Sequence, residues 1–449
     1  MGLARRSALR GECDIDASDT RSVRLAYGRH GLQVELPSGA TTVIEPTYVA
    51  GVTDAAAEVR RALREPVVGA GLRERLLAAG TSRNSTVAIS LCDGTRAQPR
   101  DVMIPVVLDE IEDLVDLANV TLLVATGTHR GNTPAELVEM LGAEVLRRVR
   151  VVNHDARDPE SLVYCGEAGN GVPVWLNRCW VESDFTITTG FVEPHFFAGF
   201  SGGPKMIAPG LAGLDTVLVL HDAARIGDPR ATWGVIEGNP VHDDVRAVAA
   251  HTGGATYSVD VVMNRDHQIV EAFGGDVLAM HAVACARART LSMVEVDGLF
   301  DVVVTTNSGY PLDQNLYQAV KGMSAGAMVV KPGGRLLAVA ECSDGFPDHG
   351  SYVDVLTGAD SPQALLAQIE GRARTVPDQW QVQIQAAVQD RARVSVHCEG
   401  LTPTQLRSAH LGSAVDVGDY VRSALEEAGS EARCCVLPEG PQTIPYLRG

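Results

Sequence analysis

Between residues 85 and 195 one pattern repeats: a short apolar run, a polar break, then a stretch with helical spacing. The runs are STVAISL, ending at Asp93; VTLLVATG, ending beside His129; VRVVN, ending at His154; and DFTITTG, leading into His195. A helix is expected from 103 to 117. Another follows Asn132 or Thr133, with Pro134 in its first turn and Glu136 close behind. Strand, helix and strand repeated in this way require a parallel sheet with helices on its faces. Ligands bind such sheets at the carboxyl edge of the strands. Asp93, Thr95, Arg96, His129, His154 and His195 all fall just past predicted strand ends.

The rest of the chain continues the theme. SVDVVM, NRDH and QIVEAF read as a hairpin, followed by a helix over 276–289. A second α/β unit opens at VDGLFDVVVTTN and runs through a helix over 313–327, the strand RLLAVAE and strands near 394–397 and 433–436. The expectation is two α/β domains with mostly parallel sheets. Residues 1–22 form a disordered leader, 23–292 an N-terminal domain and 293–449 a C-terminal domain, with the last residues packing back on the first domain.

Composition narrows the function classes. With 449 residues the chain is long enough for two or three domains. Its net charge of -18 argues against a nucleic-acid or anionic-membrane partner. No run approaches the ~18 apolar residues of a membrane span, and the amino terminus lacks the apolar core of a signal peptide. Nine cysteines without a C-x-x-C spacing read as reduced thiols in a cytoplasmic protein.

Several residues could carry chemistry. The segment FVEPHFFAGFSGGPKMIAPG, residues 191–210, places His195 ten positions before Lys205. Its glycines suggest either an anion cradle or a tight turn beside a solvated lysine. Pro204 before the lysine, and no Ser or Thr after it, argue against a magnesium-bound nucleotide. His129 suits a general base or a capping turn. Arg96 in CDGTR offers a fork for a carboxylate, or a partner for Asp93. Gln314, Tyr317, Gln318 and Lys321 would share one helix face, lining a polar cleft or simply solvated. His221 ends an apolar run and suits a hydrogen-bonded, partly buried site. His242, His251, His267 and His281 show no metal-ligand spacing and read as structural.

Taken together, DGTR, GTHR, EPHFFAGFSGGPK with His221 downstream, GNPVH at 238–242, PLDQNLYQAVKG and DQWQVQ at 378–383 resemble the nickel-pincer lactate racemase family. The motifs span roughly residues 90 to 385 in the family's order. The resemblance implies two α/β domains with the active site in the cleft between them. It implies nickel and a pyridinium-3,5-bisthiocarboxylic acid mononucleotide, covalently linked through Lys205, with His221 as nickel ligand. Asp93, Thr95, Gly202, Gly203 and Trp380 would seat that cofactor. His129 and His195 would be the acid–base pair, and Arg96, Tyr317, Gln318 and Lys321 would hold the substrate. The implied reaction is racemisation or epimerisation of a 2-hydroxy acid by reversible hydride transfer, with lactate one candidate. The implied partners are the enzymes of cofactor synthesis and nickel insertion. Phe196-Phe197, Ala97 and Asp222 depart from the family's usual residues and bear on substrate choice. Two other readings stand beside it: a zinc-dependent hydrolase using His129, His195 and His221, and a non-catalytic hydroxy-acid-binding homologue.

Overall fold

A computed structural model describes residues 19–251, 256–347 and 350–448. The described chain divides into two compact units. One holds 46–251, 256–294 and 350–386; the other holds 19–45, 295–347 and 387–448. Neither is a continuous stretch, unlike the expected division at 292/293. Most of the expected leader, residues 1–18, lies outside the described residues. Thr20–Leu25 is already a strand, paired antiparallel with Leu32–Pro37. The last described residues group with 295–347 rather than with the first unit.

The larger unit is built on a six-stranded sheet. Its order is Ile269–Gly275, Thr256–Met263, Phe185–Phe191, Val87–Cys92, Val120–Ala125, Arg150–Asn153. All neighbours are parallel except the edge hairpin of Thr256–Met263 with Ile269–Gly275. Val87–Cys92 and Phe185–Phe191 are apolar or small throughout and fully buried, as a sheet covered on both faces requires. Helix Pro134–Arg148 starts with a full capping box between Thr133 and Glu136. The first crossover helix runs Arg100–Ile111, three residues earlier than the apolar spacing suggested, because Pro99 sits at its N-cap. Successive strands run outward in one direction from Val87–Cys92 and later ones in the other. The switch lies between that strand and Phe185–Phe191, the place where open α/β sheets bind ligands at their carboxyl ends.

The smaller unit has an all-parallel six-stranded sheet: Gly412–Ser413, Arg393–His397, Val330–Val339, Phe300–Thr306, Cys434–Leu437, Thr41–Val43. Helix Leu316–Ala327 follows Phe300–Thr306 and starts at the Asn315 cap. Gln314 therefore precedes the helix and does not share its face. No described helix is long and apolar enough to cross a membrane. The eight described cysteines are free thiols.

Candidate active site

Three loops leave the switch point of the larger sheet, and each carries a predicted site residue. The first follows Val87–Cys92. Buried Arg100 ties it down, donating from Nη1 to the carbonyls of Asp93 (3.1 Å) and Arg96 (3.0 Å). Gln98 adds to this, accepting from the Cys92 amide at 2.7 Å and donating to Thr189 at 2.8 Å. Neither anchor was singled out from sequence, although both sit within seven residues of Asp93.

Asp93 faces His129 rather than only its own turn. Its Oδ2 lies 2.7 Å from His129 Nδ1, while Oδ1 accepts from the Thr95 hydroxyl (2.6 Å) and amide (3.1 Å). Burial pushes this carboxyl up. The hydrogen bond and charge of His129, the charge of Arg96 and the Thr95 hydroxyl outweigh burial and hold it at about 2. The His129 loop is itself tied to the Lys205 segment: Gly127 N–H donates to Gly210 O at 3.0 Å, and Gly210 N–H to Lys205 O at 3.1 Å.

The third loop, after Phe185–Phe191, carries His195 and Lys205. Lys205 Nζ lies 3.2 Å from His195 Nε2, and the Ala198 amide donates to His195 Nδ1 at 3.3 Å. Phe197 stands edge-on to both His195 (4.5 Å between centroids) and His221 (5.2 Å), with Lys205 Nζ 5.4 Å from its ring. Phe196 packs between His195 at 4.9 Å and Trp233 at 5.9 Å. The aromatic pair is thus a wall around the histidine and lysine.

The structure gives Gly202 and Gly203 an internal reason. Both have positive φ (75° and 49°). A side chain on Gly202 would meet Asp260 at 2.7 Å, and one on Gly203 the His281 ring at 2.5 Å. Their bare Cα atoms face the protein's own interior.

His221 caps helix Leu214–Leu220 and is buried. Its Nδ1 donates to Val217 O at 2.7 Å, which leaves Nε2 as the lone-pair nitrogen. Burial lowers its pKa to about 4, against the raising effect of the Val217 carbonyl and with a further lowering from Lys205. The ring is therefore neutral near pH 7. Trp380 packs on it at 4.8 Å. His154 does not join the cluster. It is buried, bonded to Ala212 O at 2.9 Å and to Asn177 at 3.1 Å.

Tyr317, Gln318 and Lys321 lie together on helix Leu316–Ala327 of the smaller unit. Lys321 Nζ donates to Gln318 Oε1 at 3.1 Å. Among the described residues no group of three His, Cys, Asp or Glu side chains is placed to hold a metal ion. A zinc site built from His129, His195 and His221 is therefore not formed.

Comparisons with known proteins fall on the same ground. The lactate racemase N-terminal domain family matches residues 27–234, and the lactate racemase C-terminal domain family matches 297–444. Lactate racemase of Thermoanaerobacterium thermosaccharolyticum is 34% identical over 429 residues, covering 94% of this chain and 99% of the relative. The chain belongs to the lactate racemase family. It is an isomerase of the racemase type. Lactate racemase of Lactiplantibacillus plantarum is 35% identical over 384 residues, covering 85% of this chain and 89% of the relative. The lactate racemase apoprotein structure from T. thermosaccharolyticum superposes with a TM-score of 0.87 at 31% identity, covering 96% of this chain and all of that one. A Thermotoga maritima protein of 17% identity shares the fold at a TM-score of 0.65, over 89% of this chain.

Proposed function

We propose that the chain interconverts the enantiomers of a 2-hydroxy acid, with lactate the first candidate, using a nickel-pincer pyridinium nucleotide tethered at Lys205. The observation that carries this reading is that His195, Lys205 and the neutral, buried His221 gather around Phe197, while backbone bonds tie the His129 loop to the Lys205 segment.

The donor set fits such a group. His221 offers one neutral imidazole Nε2, oriented by the Val217 carbonyl, as an outer-shell partner orients a metal-bound histidine. A single protein ligand suits a metal whose other ligands belong to its own cofactor. Lys205 would be the attachment point, and Trp380 and Thr95 would flank the group. Both oxygens of Asp93 have partners within the protein, so its part beside the cofactor would be to orient His129 and Thr95. Gly202 and Gly203 shape the turn that presents Lys205.

When bound, the pyridinium group supplies a reversible hydride acceptor, and that chemistry is the cofactor's own. The protein's share is proton transfer and orientation. Removing an α-proton beside a carboxylate would pile negative charge on negative charge, whereas losing hydride leaves a neutral ketone there. One histidine takes the hydroxyl proton of one enantiomer, and the other returns a proton on the opposite side. Asp93 holds Nδ1–H of His129 so that Nε2 faces the reacting hydroxyl. Tethering at Lys205 would remove that lysine's positive charge beside His195 and leave His195 Nε2 to the substrate. Arg96, Tyr317, Gln318 and Lys321 would bind carboxylate and hydroxyl.

The test is to produce the protein together with cofactor-making and nickel-insertion enzymes. Intact mass, peptide mapping, nickel content and racemisation of each lactate enantiomer are then measured. An adduct at Lys205, one nickel per chain and racemisation are expected. Unmodified Lys205 with no nickel and no racemisation would sink the reading.

A further inference from the structure

The motif GNPVH and two distant polar residues converge beneath the turn that links His195 to Lys205. Asn239 Nδ2 donates to Phe197 O at 3.0 Å, and His242 Nδ1 to Ala198 O at 3.2 Å. His281 Nε2 donates to Ser201 O at 2.7 Å. Asp260 Oδ2 accepts from the Gly203 amide at 2.5 Å. Four backbone groups within seven residues are thus bonded by side chains from helix Pro240–His251 and its start, helix Val277–Ser292 and strand Thr256–Met263. All four side chains are at most 2% exposed.

We propose that Asn239, His242, His281 and Asp260 are positioning residues that fix the 197–203 turn from behind and so set where His195 and Lys205, whose side chains approach to 3.2 Å, stand relative to each other. The inference rests on the racemase reading of that pair. Its physical basis is that a buried carbonyl or amide costs free energy when left unpaired, so each bond selects one height of the turn. The four come from three separate elements, so the turn cannot shift as a body without breaking several bonds together. Burial supports the donor roles. It lowers His242 to about 4 and His281 to about 3, against the raising effect of their carbonyl partners, so both rings are neutral. Each carries its one proton on the nitrogen that faces the turn. Their rings stack at 5.7 Å, which ties the two helices together under it.

The replacements can be matched to the donor atom. A glutamine amide nitrogen stands where a histidine Nε2 does, and an asparagine amide nitrogen where Nδ1 does. Holoenzyme carrying His281→Leu or His281→Gln, and His242→Leu or His242→Asn, is compared with the parent for kcat, KM and hydrogen exchange of the 195–206 segment. Each leucine variant is expected to lower kcat by about 10²-fold with KM changed less than about twofold, and to speed exchange in that segment. The amide variants should restore kcat to within about threefold of the parent and restore protection. If His281→Leu yields no folded protein, the His242 pair is read by the same criteria. Equal losses in leucine and amide variants, or unchanged exchange in the leucine variants, would overturn the proposal. If the parent holoenzyme racemises nothing, the functional reading fails, and hydrogen exchange alone then decides the inference.

Discussion

Asp93 commits both carboxylate oxygens, one to Thr95 and one to His129, across 36 positions of sequence. Its kinetic role can be isolated with Asp93→Asn, which keeps the size and the Thr95 contact but loses the charge. For enantiomers of equal energy, kcat/KM must be the same in both directions. Asp93→Asn should therefore lower both by one common factor, roughly 10–10²-fold, as expected for loss of a general base's orientation. Initial rates from each enantiomer check this, and an unchanged kcat/KM would refute the orienting role of Asp93. The stability consequence follows from the depressed pKa. A carboxyl held at about 2 when folded, and near its ordinary value when unfolded, stabilises the fold above pH 4. That contribution is lost as pH falls from about 4 to 2 and amounts to about 2 kcal/mol. Acid titration of the melting temperature should show a steeper fall in that window for the parent than for Asp93→Asn. Phe197 adds a second residue-scale case. It touches His195, His221 and Lys205, so Phe197→Ala should cost about 3–5 kcal/mol by calorimetry. From sequence, Asp93 and His129 were each visible as strand-end residues, but not as a pair. Strand ends follow from hydrophobic periodicity, whereas a pair needs strand order, which local spacing does not encode.

At the scale of elements, the 197–203 turn bears on the two readings that its glycines left open. A glycine cluster before a lysine suits an anion cradle and a crowded turn equally well. Crowding accounts for the glycines here, because Asp260 and His281 occupy the space where side chains would stand. Gly203→Ala would have to hold a φ of 49° and displace the His281 ring. A loss of about 1–3 kcal/mol is expected, read as a lower denaturant midpoint at unchanged slope. An unchanged midpoint would mean the turn has slack. Asp260 makes the same element pH-sensitive in the opposite sense to Asp93. Burial pushes its carboxyl up to about 7, against the lowering effect of the Gly203 and Gly190 amides. A raised acid contributes less stability as pH climbs from about 4 to 7. Asp260→Asn keeps an acceptor for Gly203 N–H without the buried charge. Its melting temperature relative to the parent should rise across that interval, and a flat difference would show that the folded Asp260 carboxyl is not raised above its ordinary value.

For the whole molecule, strand and helix order was legible because each element carries its own periodicity. The grouping of elements was not, because it depends on returns of the chain that no local pattern marks. The three-residue strand Thr41–Val43 is such a case. Its partner lies far along the chain, and it completes the smaller sheet beside Cys434–Leu437. Residues 350–386 are another, since they bring Trp380 onto His221 and Gln383 onto Ala223 O at 2.8 Å. Removing a buried tryptophan alone costs about 3–5 kcal/mol, a large share of the 5–15 kcal/mol that stabilises a typical domain. Fragments cut as 23–292 and 293–449 would each lose such a return: the first lacks Trp380 and its helix, the second lacks the Thr41–Val43 edge. Neither should show a cooperative thermal transition by circular dichroism, while the intact chain should. A sharp, reversible melt of 23–292 would mean that the 350–386 return is dispensable, and that the packing around His221 rests on the larger sheet alone.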